Sequence, residues 1–165
     1  MNFVESYNQE IKIENKSITL FIKREDLIHR YISGNKFRKL KYNLVQAKKE
    51  NKETILTFGG AFSNHILAVA AAGKEEGFRT IGIIRGEELH DKISENPTLQ
   101  KAQDFGMVFD FVGREIFREK NNPEFIKQLG ERFGDFYLIP EGGTNDLAVK
   151  GCEEILTSKD RKSVV

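Results

Sequence analysis

The sequence predicts an α/β fold in which a parallel, twisted sheet carries helices on both faces. Three observations support this fold class. Short apolar runs alternate with helical segments from residue 53 onward, glycines separate helices from the next strand, and two Asn-Pro pairs precede helices. Nearly continuous apolar strands that alternate with helices are typical of parallel sheets that are buried on both sides.

The composition limits the class of protein. The chain has 165 residues, a formal charge of +1 and 39% hydrophobic residues, which is enough for one core and shows no excess charge that would favour nucleic acid. No apolar run approaches the length of a membrane span, and the polar N-terminus does not resemble a signal peptide. Cys152 is the only cysteine, so we expect a reduced, buried thiol and a cytoplasmic protein.

The first elements are a strand and a basic helix. Residues 18–23 have the β-branched and aromatic content of a strand. Ser33-Gly34-Asn35 then interrupts the chain before a helix predicted from about Lys36 to Glu50. The lysines of this helix indicate a solvated surface more than a nucleic-acid interface. Its opposite face collects the apolar residues Phe37, Leu40, Leu44 and Ala47.

A regular alternation of strands and helices follows. Asn96-Pro97 and Asn122-Pro123 each place a capping residue before a proline at the first helical position. Glycines stand after three of the helices, where a positive φ is needed, at positions 77, 106 and 134. Strands are predicted near 53–58, 79–85, 107–112 and 135–140, and helices over 64–76, 96–105, 123–133 and 147–156.

The stretch ILTFGGAFSNHILAVAAAG, from Ile55 to Gly73, predicts a strand, a tight glycine turn and a helix. Ligands of parallel sheets bind beyond the carboxyl ends of the strands, where this turn lies. Free amides at the helix start attract anions. Either Ser63 or Asn64 caps the helix, and the other side chain faces the space above the strand. An ordinary connection, in which Ser63 only caps, is the alternative.

Lys36 is the second candidate for chemistry. It follows Ser-Gly-Asn at a helix start, where the positive end of the helix dipole and partial burial favour the neutral amine. Such a lysine can form a Schiff base with an aldehyde cofactor. The alternative is an ordinary solvated lysine.

Three segments together resemble a known family: IKREDLIHRYISGNKFRKLKYNL, LTFGGAFSNHILAVAAAG and IPEGGTN. Their order and spacing resemble the pyridoxal-phosphate-dependent 1-aminocyclopropane-1-carboxylate deaminase and D-cysteine desulfhydrase family, which has the tryptophan synthase β-like fold, or fold type II. The likeness runs from about Phe21 to the C-terminal end. Phe37 stands where the family often has tryptophan, and Arg30 where proline commonly follows the histidine.

The resemblance implies a role for each residue of the site. Lys36 would hold pyridoxal 5′-phosphate as a Schiff base and remove the α-proton, Asn64 would hydrogen-bond the phenolic oxygen of the cofactor, and Ser63 would assist catalysis. The cofactor would act as the electron sink. No metal ligands are predicted. The substrate carboxylate would be received by Gly60, Ala61, Phe62, Ser63, Asn64 and His65.

The implied function is a lyase, hydrolase or deaminase reaction on a small amino acid of the 1-aminocyclopropane-1-carboxylate or D-cysteine type. Deprotonation or ring opening would be followed by elimination and release of ammonia. Residues 1–34 would open a large domain, residues 35–139 would form a small α/β domain, and residues 140–165 would return to the incomplete large domain. In the family the phosphate-binding loop comes later, so we expect an N-terminal portion of a protein that is a homodimer at full length. The turn Gly142-Gly143-Thr144-Asn145 corresponds to the stretch before that loop, and the resemblance makes it a wall of the site at most.

Two other interpretations remain at this point. One is a catalytically inactive, truncated α/β domain that self-associates through an unmatched sheet edge and uncovered apolar surface. The other is a nucleotide-binding domain, although the sequence contains no G-x-x-x-x-G-K-[ST] and no G-x-G-x-x-G after a strand.

Overall fold

The structure, a computed structural model, describes residues 1–14 and 18–161. The chain opens with an antiparallel pair of strands, β1 (Asn8–Lys12) and β2 (Thr19–Lys23), in which Asn8 pairs with Lys23. Only β2 was predicted. The pattern of β1 is mostly polar, and its strand conformation depends on its pairing with β2, which a local pattern does not reveal.

The main sheet has four parallel strands and confirms the predicted fold class. These are β3 (Thr54–Gly60), β4 (Arg79–Arg85), β5 (Val108–Val112) and β6 (Tyr137–Ile139), in the spatial order β5-β4-β3-β6. Because β3 and β6 are neighbours, the turns that follow them meet at the same edge of the sheet.

Seven α-helices accompany the strands in the part of the chain that the structure describes. They are α1 (Asn35–Lys49), α2 (Asn64–Glu76), α3 (Pro97–Asp104), α4 (Arg114–Arg118), α5 (Pro123–Phe133), α6 (Asp146–Cys152) and α7 (Ser158–Arg161). Short 3₁₀ segments occupy Glu25–Leu27, Glu87–Glu95, Glu141–Gly143 and Glu153–Ile155.

Local signals set several boundaries as predicted. The side chain of Asn96 accepts hydrogen bonds from the amides of Thr98 and Leu99, both at 3.0 Å, and Asn122 caps α5 in the same way. The three glycines that follow helices have φ values of 80°, 92° and 79°. Proline at the first helical position loses no hydrogen bond, which is why these starts are sharp.

Other predictions need correction. The helix expected over 147–156 ends at Cys152 and continues as a 3₁₀ turn, while α4 and the 3₁₀ segment Glu87–Glu95 were not predicted. These pieces are short, so their periodicity gives little signal. Cys152 is half-buried rather than buried. The three domain ranges stay predictions.

The sheet separates two apolar clusters. Ile55 and Ile84 point to the cluster that also contains the apolar faces of α1, α2 and α3. Leu56 and Ile83 point to the other cluster, which contains Phe117 of α4 and side chains of α5. Successive strand residues face opposite sides of the sheet, and both sides are therefore covered by helices.

Candidate active site

Lys36 is the second residue of α1. The helix follows Gly34, whose φ of 59° lets the chain turn sharply before it. The Nζ of Lys36 lies 3.3 Å from the carbonyl oxygen of Gly142, to which it donates a hydrogen bond. Burial, and next the positive charge of Lys39, lower the pKa of Lys36, while the Cys152 thiol has a smaller, opposite effect. A lowered pKa increases the share of neutral, nucleophilic amine at a given pH.

The turn between β3 and α2 uses Ser63 as the helix cap. The Oγ of Ser63 accepts a hydrogen bond from the His65 amide at 3.2 Å, and the Ser63 amide donates to the Gly60 carbonyl at 3.1 Å. Asn64 is the side chain left over, as the sequence indicated. Within residues 1–14 and 18–161, no acceptor satisfies the amides of Phe62 and Asn64. These two amides remain available to a ligand, whereas those of Ser63 and His65 are occupied.

One cavity of about 230 Å³ brings Lys36 and Asn64 together. Ser33, Asn35 and Tyr31 also line it. The lysine and the Ser63-Asn64 turn therefore lie on the same side of the molecule, which the assigned chemistry requires. Their individual roles stay predictions.

A second glycine turn, Glu141–Gly143, follows β6 and contacts the lysines. Gly142 and Gly143 have φ values of 68° and 71°. The Gly142 carbonyl accepts hydrogen bonds from Lys36 and from Lys39, each at 3.3 Å, and Lys39 also donates to Thr144 Oγ1 at 2.9 Å. The sequence interpretation treated this turn as a wall of the site at most. Its carbonyl instead binds the candidate lysine directly.

Two asparagines fix the second turn to α1. Asn145 caps α6 by accepting a hydrogen bond from the Ala148 amide at 2.9 Å, and its Nδ2 donates to Asn43 Oδ1 at 2.7 Å. Asn43 is fully buried on α1, and its Nδ2 donates back to Asn145 Oδ1 at 3.1 Å. The position of Gly142 relative to α1 is thereby set by a buried, reciprocal pair of amides.

His65 lies beneath the second turn. Its side chain is 2% exposed, and its Nε2 lies 2.8 Å from Thr57 Oγ1 on β3. Burial first, and then the charges of Lys36 and Lys39, lower the pKa of His65 to about 3, against a smaller opposite effect of the Pro140 carbonyl. The imidazole is therefore neutral at ordinary pH. Its place among the groups that receive the carboxylate stays a prediction.

Sequence reasoning missed three contributors to the site: Lys39, Thr57 and the Gly142 carbonyl. Lys39 was assigned to the polar surface of its helix. Its position three residues after Lys36 places it on the same helix face, and this spacing is the signal that identifies it. Thr57 and Gly142 reach the site through the adjacency of β3 and β6, for which the sequence has no local signal.

Two further structural features concern the described residues. No set of three His, Cys, Asp or Glu side chains is arranged to hold a metal ion there. Among the helices of that part of the chain, none combines the length and the hydropathy needed to cross a membrane.

Comparisons with known proteins give the relatives of this chain. A protein of Thermotoga maritima, whose name gives 1-aminocyclopropane-1-carboxylate deaminase as a provisional activity, is 31% identical over 150 residues, which are 90% of this chain and 47% of the relative. A D-cysteine desulfhydrase of Klebsiella pneumoniae is 29% identical over 147 residues, or 82% of this chain and 42% of the relative. No family model matches the chain.

A solved structure supports the same relationship. The crystal structure of an ACC deaminase homologue superposes with a TM-score of 0.68 at 25% identity, and the match covers 89% of this chain and 44% of that one. The parallel sheet and this superposition show that the chain has the fold of one structural class, the fold type II pyridoxal-phosphate enzymes.

Within that class the chain is a relative of the 1-aminocyclopropane-1-carboxylate deaminase and D-cysteine desulfhydrase family and corresponds to its N-terminal portion. The resemblance expected from the sequence is thereby confirmed. The chain spans less than half the length of the curated relatives it matches. Their names describe deaminases and desulfhydrases, so the expectation of a hydrolase is withdrawn.

Proposed function

We propose that this chain carries the reactive lysine of a pyridoxal-phosphate-dependent deaminase or desulfhydrase that acts on a small amino acid of the 1-aminocyclopropane-1-carboxylate or D-cysteine type. The observation that carries the proposal is the cavity shared by Lys36 and Asn64. It places an amine with a lowered pKa opposite a turn with free amides. Elimination with release of ammonia is the proposed outcome.

The residues present fit an aromatic aldehyde cofactor. The amine of Lys36 is suited to a carbonyl carbon because burial and the neighbouring Lys39 favour its neutral form. The Asn64 side chain is exposed and lies in the same cavity, where its amide would hydrogen-bond a ring hydroxyl. When bound, pyridoxal phosphate supplies an electron-withdrawing ring that stabilises the negative charge left at a carbon after bond cleavage.

The chain's own groups would bind, orient and move protons. The amides of Phe62 and Asn64 lie at the start of α2, where a substrate carboxylate would bind to free donors and to the positive end of the helix dipole. The Nζ of Lys36, whose lowered pKa favours the neutral amine, would accept the α-proton of the substrate. Ser63 would keep the turn in shape through its hydrogen bond to the His65 amide.

The test is chemical trapping of the lysine. The chain is incubated with pyridoxal phosphate, reduced with borohydride and digested, and the pyridoxyl label is located by peptide mass spectrometry. We expect label on Lys36 at concentrations that leave the exposed Lys74 unmodified. Lys36→Arg keeps the positive charge and should abolish the saturable label, because a guanidinium does not deprotonate at usable pH.

The matched control is Lys74→Arg on α2, which should leave the label on Lys36 unchanged. Addition of D-cysteine or 1-aminocyclopropane-1-carboxylate should then discharge the label before reduction, and the more effective compound indicates the substrate. A label spread evenly over surface lysines, with Lys36 no faster than Lys74, would sink the proposal.

Partners and location are proposed with it. The near-neutral charge and the single cysteine favour a small-molecule substrate in a reducing cytoplasm without a nucleic-acid partner. A homodimer of the full-length protein is proposed from the family resemblance.

A second candidate is an inactive domain that associates with itself. Its specific support is the strand β2, on which Leu20, Phe21 and Ile22 are 45%, 49% and 44% exposed. Adjacent exposed apolar side chains of this kind mark interaction surfaces. Sedimentation velocity decides: a concentration-dependent dimer that Phe21→Lys dissociates, together with no label on Lys36, favours this candidate.

A further inference from the structure

The Nδ1 atom of His65 is a buried acceptor without a partner. Within the described residues no donor reaches it at hydrogen-bonding geometry, although His65 is 2% exposed, and the nearby Pro140 carbonyl is itself an acceptor that cannot satisfy a lone pair. Buried polar atoms are nearly always paired, because an unpaired one loses its hydration without compensation. The charge of Lys36 acts on this ring, so the unpaired atom points to the lysine amine as a donor that can reach it.

The contacts of Thr57 fix which nitrogen of His65 carries the proton. The hydroxyl of Thr57 donates its one proton to the Ile139 carbonyl at 2.8 Å. Thr57 Oγ1 can then only accept from His65 Nε2, which lies 2.8 Å away. The neutral imidazole has its proton on Nε2, so Nδ1 presents a lone pair.

The second glycine turn connects this lone pair to Lys36. The Gly142 carbonyl holds Lys36 Nζ at 3.3 Å. The next residue, Gly143, lies against the imidazole: a Cβ there would be 3.4 Å from Nδ1 of His65 and 3.1 Å from Cε1. Lys39 also donates to Thr144 Oγ1, whereas Lys36 has the Gly142 carbonyl as its one acceptor within residues 1–14 and 18–161. Lys36 therefore has at least one N–H group that donates to no acceptor in the described part of the chain.

We propose that His65 Nδ1 is the second hydrogen-bond acceptor of the neutral Lys36 amine, which makes His65 a positioning residue for that amine. A neutral amine has two N–H bonds and one lone pair. With one N–H donated to the Gly142 carbonyl and the other to His65 Nδ1, the lone pair is directed toward the cavity that Asn64 lines. The inference rests on the proposed function, in which this amine is the reacting group.

His65 acts as an acceptor and not as the base. Its pKa of about 3 means that a proton placed on Nδ1 would leave again at neutral pH, so His65 does not store the proton that Lys36 loses. Protonation would also add a third positive charge beside Lys36 and Lys39. A neutral imidazole avoids this repulsion and still satisfies an N–H donor.

Two substitutions test the roles of the two ring nitrogens separately. His65→Gln places an amide near the position of Nε2 and keeps a donor for Thr57, but removes the acceptor at Nδ1. His65→Asn places its amide near Nδ1 and keeps an acceptor for Lys36, but loses the bond to Thr57. Thr57→Ser is the matched structural control, because it keeps the hydroxyl that accepts from Nε2 and removes only a methyl group.

The readout is the reactivity of the amine itself. The full chain is treated with formaldehyde and cyanoborohydride, and methylation of Lys36 is followed by peptide mass spectrometry relative to the exposed Lys74. Labelling is done well under the thermal midpoint of every variant. Above the pKa of Lys36, where the amine is neutral in every variant, we expect His65→Gln to slow its methylation up to about tenfold, the scale of one lost hydrogen bond. At lower pH the difference should narrow, because loss of an acceptor also disfavours the ammonium form. His65→Asn and Thr57→Ser should stay nearer to the wild type.

Each other result counts against the inference. A folded His65→Gln variant that labels Lys36 at the wild-type rate would overturn it, and so would equal slowing in His65→Gln and Thr57→Ser, which would mean that packing alone matters. Formaldehyde reports on the amine without pyridoxal phosphate. A chain that shows the expected dependence on His65 but captures no pyridoxal phosphate would refute the proposed function and leave this inference standing.

Discussion

The two glycine turns at the ends of β3 and β6 are similar in sequence, but they present different backbone groups to a ligand or a side chain. The first has Gly59-Gly60 followed by Ser63-Asn64, and the second has Gly142-Gly143 followed by Thr144-Asn145. The first turn leaves backbone amides unpaired, which attract an anion. The second turn presents a carbonyl oxygen, which holds two ammonium groups. The same residue types thus produce one donor surface and one acceptor surface near Lys36.

Backbone conformation explains the difference. Neither Gly59 nor Gly60 has a positive φ; Gly59 is required because a Cβ would lie 2.6 Å from Cγ1 of Ile66 on α2. Gly142 and Gly143 both have a positive φ, near 70°, a region that L-residues rarely occupy. Glycine in the first turn permits close packing, and glycine in the second turn permits the backbone path that aims a carbonyl at Lys36.

The largest expected effect tests the second turn. Gly143→Ala should lower the free energy of unfolding by about 2–3 kcal/mol, because alanine at a positive φ costs about 1–2 kcal/mol and its methyl would crowd the His65 ring. The Gly142 carbonyl would shift with the turn, so methylation of Lys36 by formaldehyde should change as well. Urea unfolding and peptide mass spectrometry measure the two effects.

Gly142→Ala is the control for the crowding. Its φ is 68°, but the nearest atom to a Cβ there is Thr144 Oγ1 at 3.9 Å, so only the conformational cost of about 1–2 kcal/mol remains. Equal losses of stability in the two variants would show that the contact between Gly143 and His65 contributes nothing.

Much of the fold was predictable because its signals are local. The Asn-Pro caps and the glycines after helices are decided within four or five residues, and α2 and α5 accordingly begin and end where the sequence indicates. The predicted turn at Ser63 follows the same logic, since a cap is a contact between near neighbours. Lys36 and the Ser63-Asn64 turn were found from motifs that are each continuous in the sequence.

The rest of the site depends on distant contacts. The hydrogen bonds of Lys36 to Gly142 and of Thr57 to Ile139 join residues 106 and 82 positions apart. They follow from the order of β3 and β6 in the sheet, which no local pattern specifies. The second turn was for this reason interpreted as a wall, although its composition matches that of the first.

At about 1.4 kcal/mol per pH unit, the next effect tests His65, whose amide belongs to the first turn and whose ring lies under the second. The pKa of His65 is about 3 when folded and 6.5 ordinarily, so below pH 6.5 the unfolded chain binds a proton that the folded chain does not. Stability from this group is therefore complete above about pH 6.5 and falls by about 1.4 kcal/mol per pH unit as the pH decreases toward 3. Urea unfolding at several pH values measures the slope.

His65→Gln supplies the reference for this slope. The variant keeps the carboxylates, whose own titration is common to both proteins, and lacks the imidazole. Between about pH 4 and pH 6 the wild type should lose stability more steeply than the variant, by the amount that one proton contributes. Parallel curves would mean that the imidazole is protonated in the folded chain, and the assignment of a bare Nδ1 would then be wrong.

The smallest effect on stability is expected in the first turn. At Gly60 the nearest atom to an added Cβ is a guanidinium nitrogen of Arg85 at 3.9 Å, and φ is not positive, so Gly60→Ala should change the free energy of unfolding by no more than about 0.5 kcal/mol. Its effect should fall on the ligand, because the methyl would stand beside the amides proposed for the substrate carboxylate.

Protection of Lys36 from pyridoxyl labelling distinguishes the effect of Gly60→Ala on ligand binding from its effect on stability. D-cysteine or 1-aminocyclopropane-1-carboxylate should prevent pyridoxyl labelling of Lys36 in the wild type, and several-fold more of either compound should be needed in the variant. Gly142→Ala should give the reverse pattern, with a loss of stability and little direct effect on the carboxylate. Equal protection in the wild type and in Gly60→Ala would mean that the carboxylate does not bind at the first turn. The difference between the donor and acceptor surfaces would then concern packing and not substrate binding.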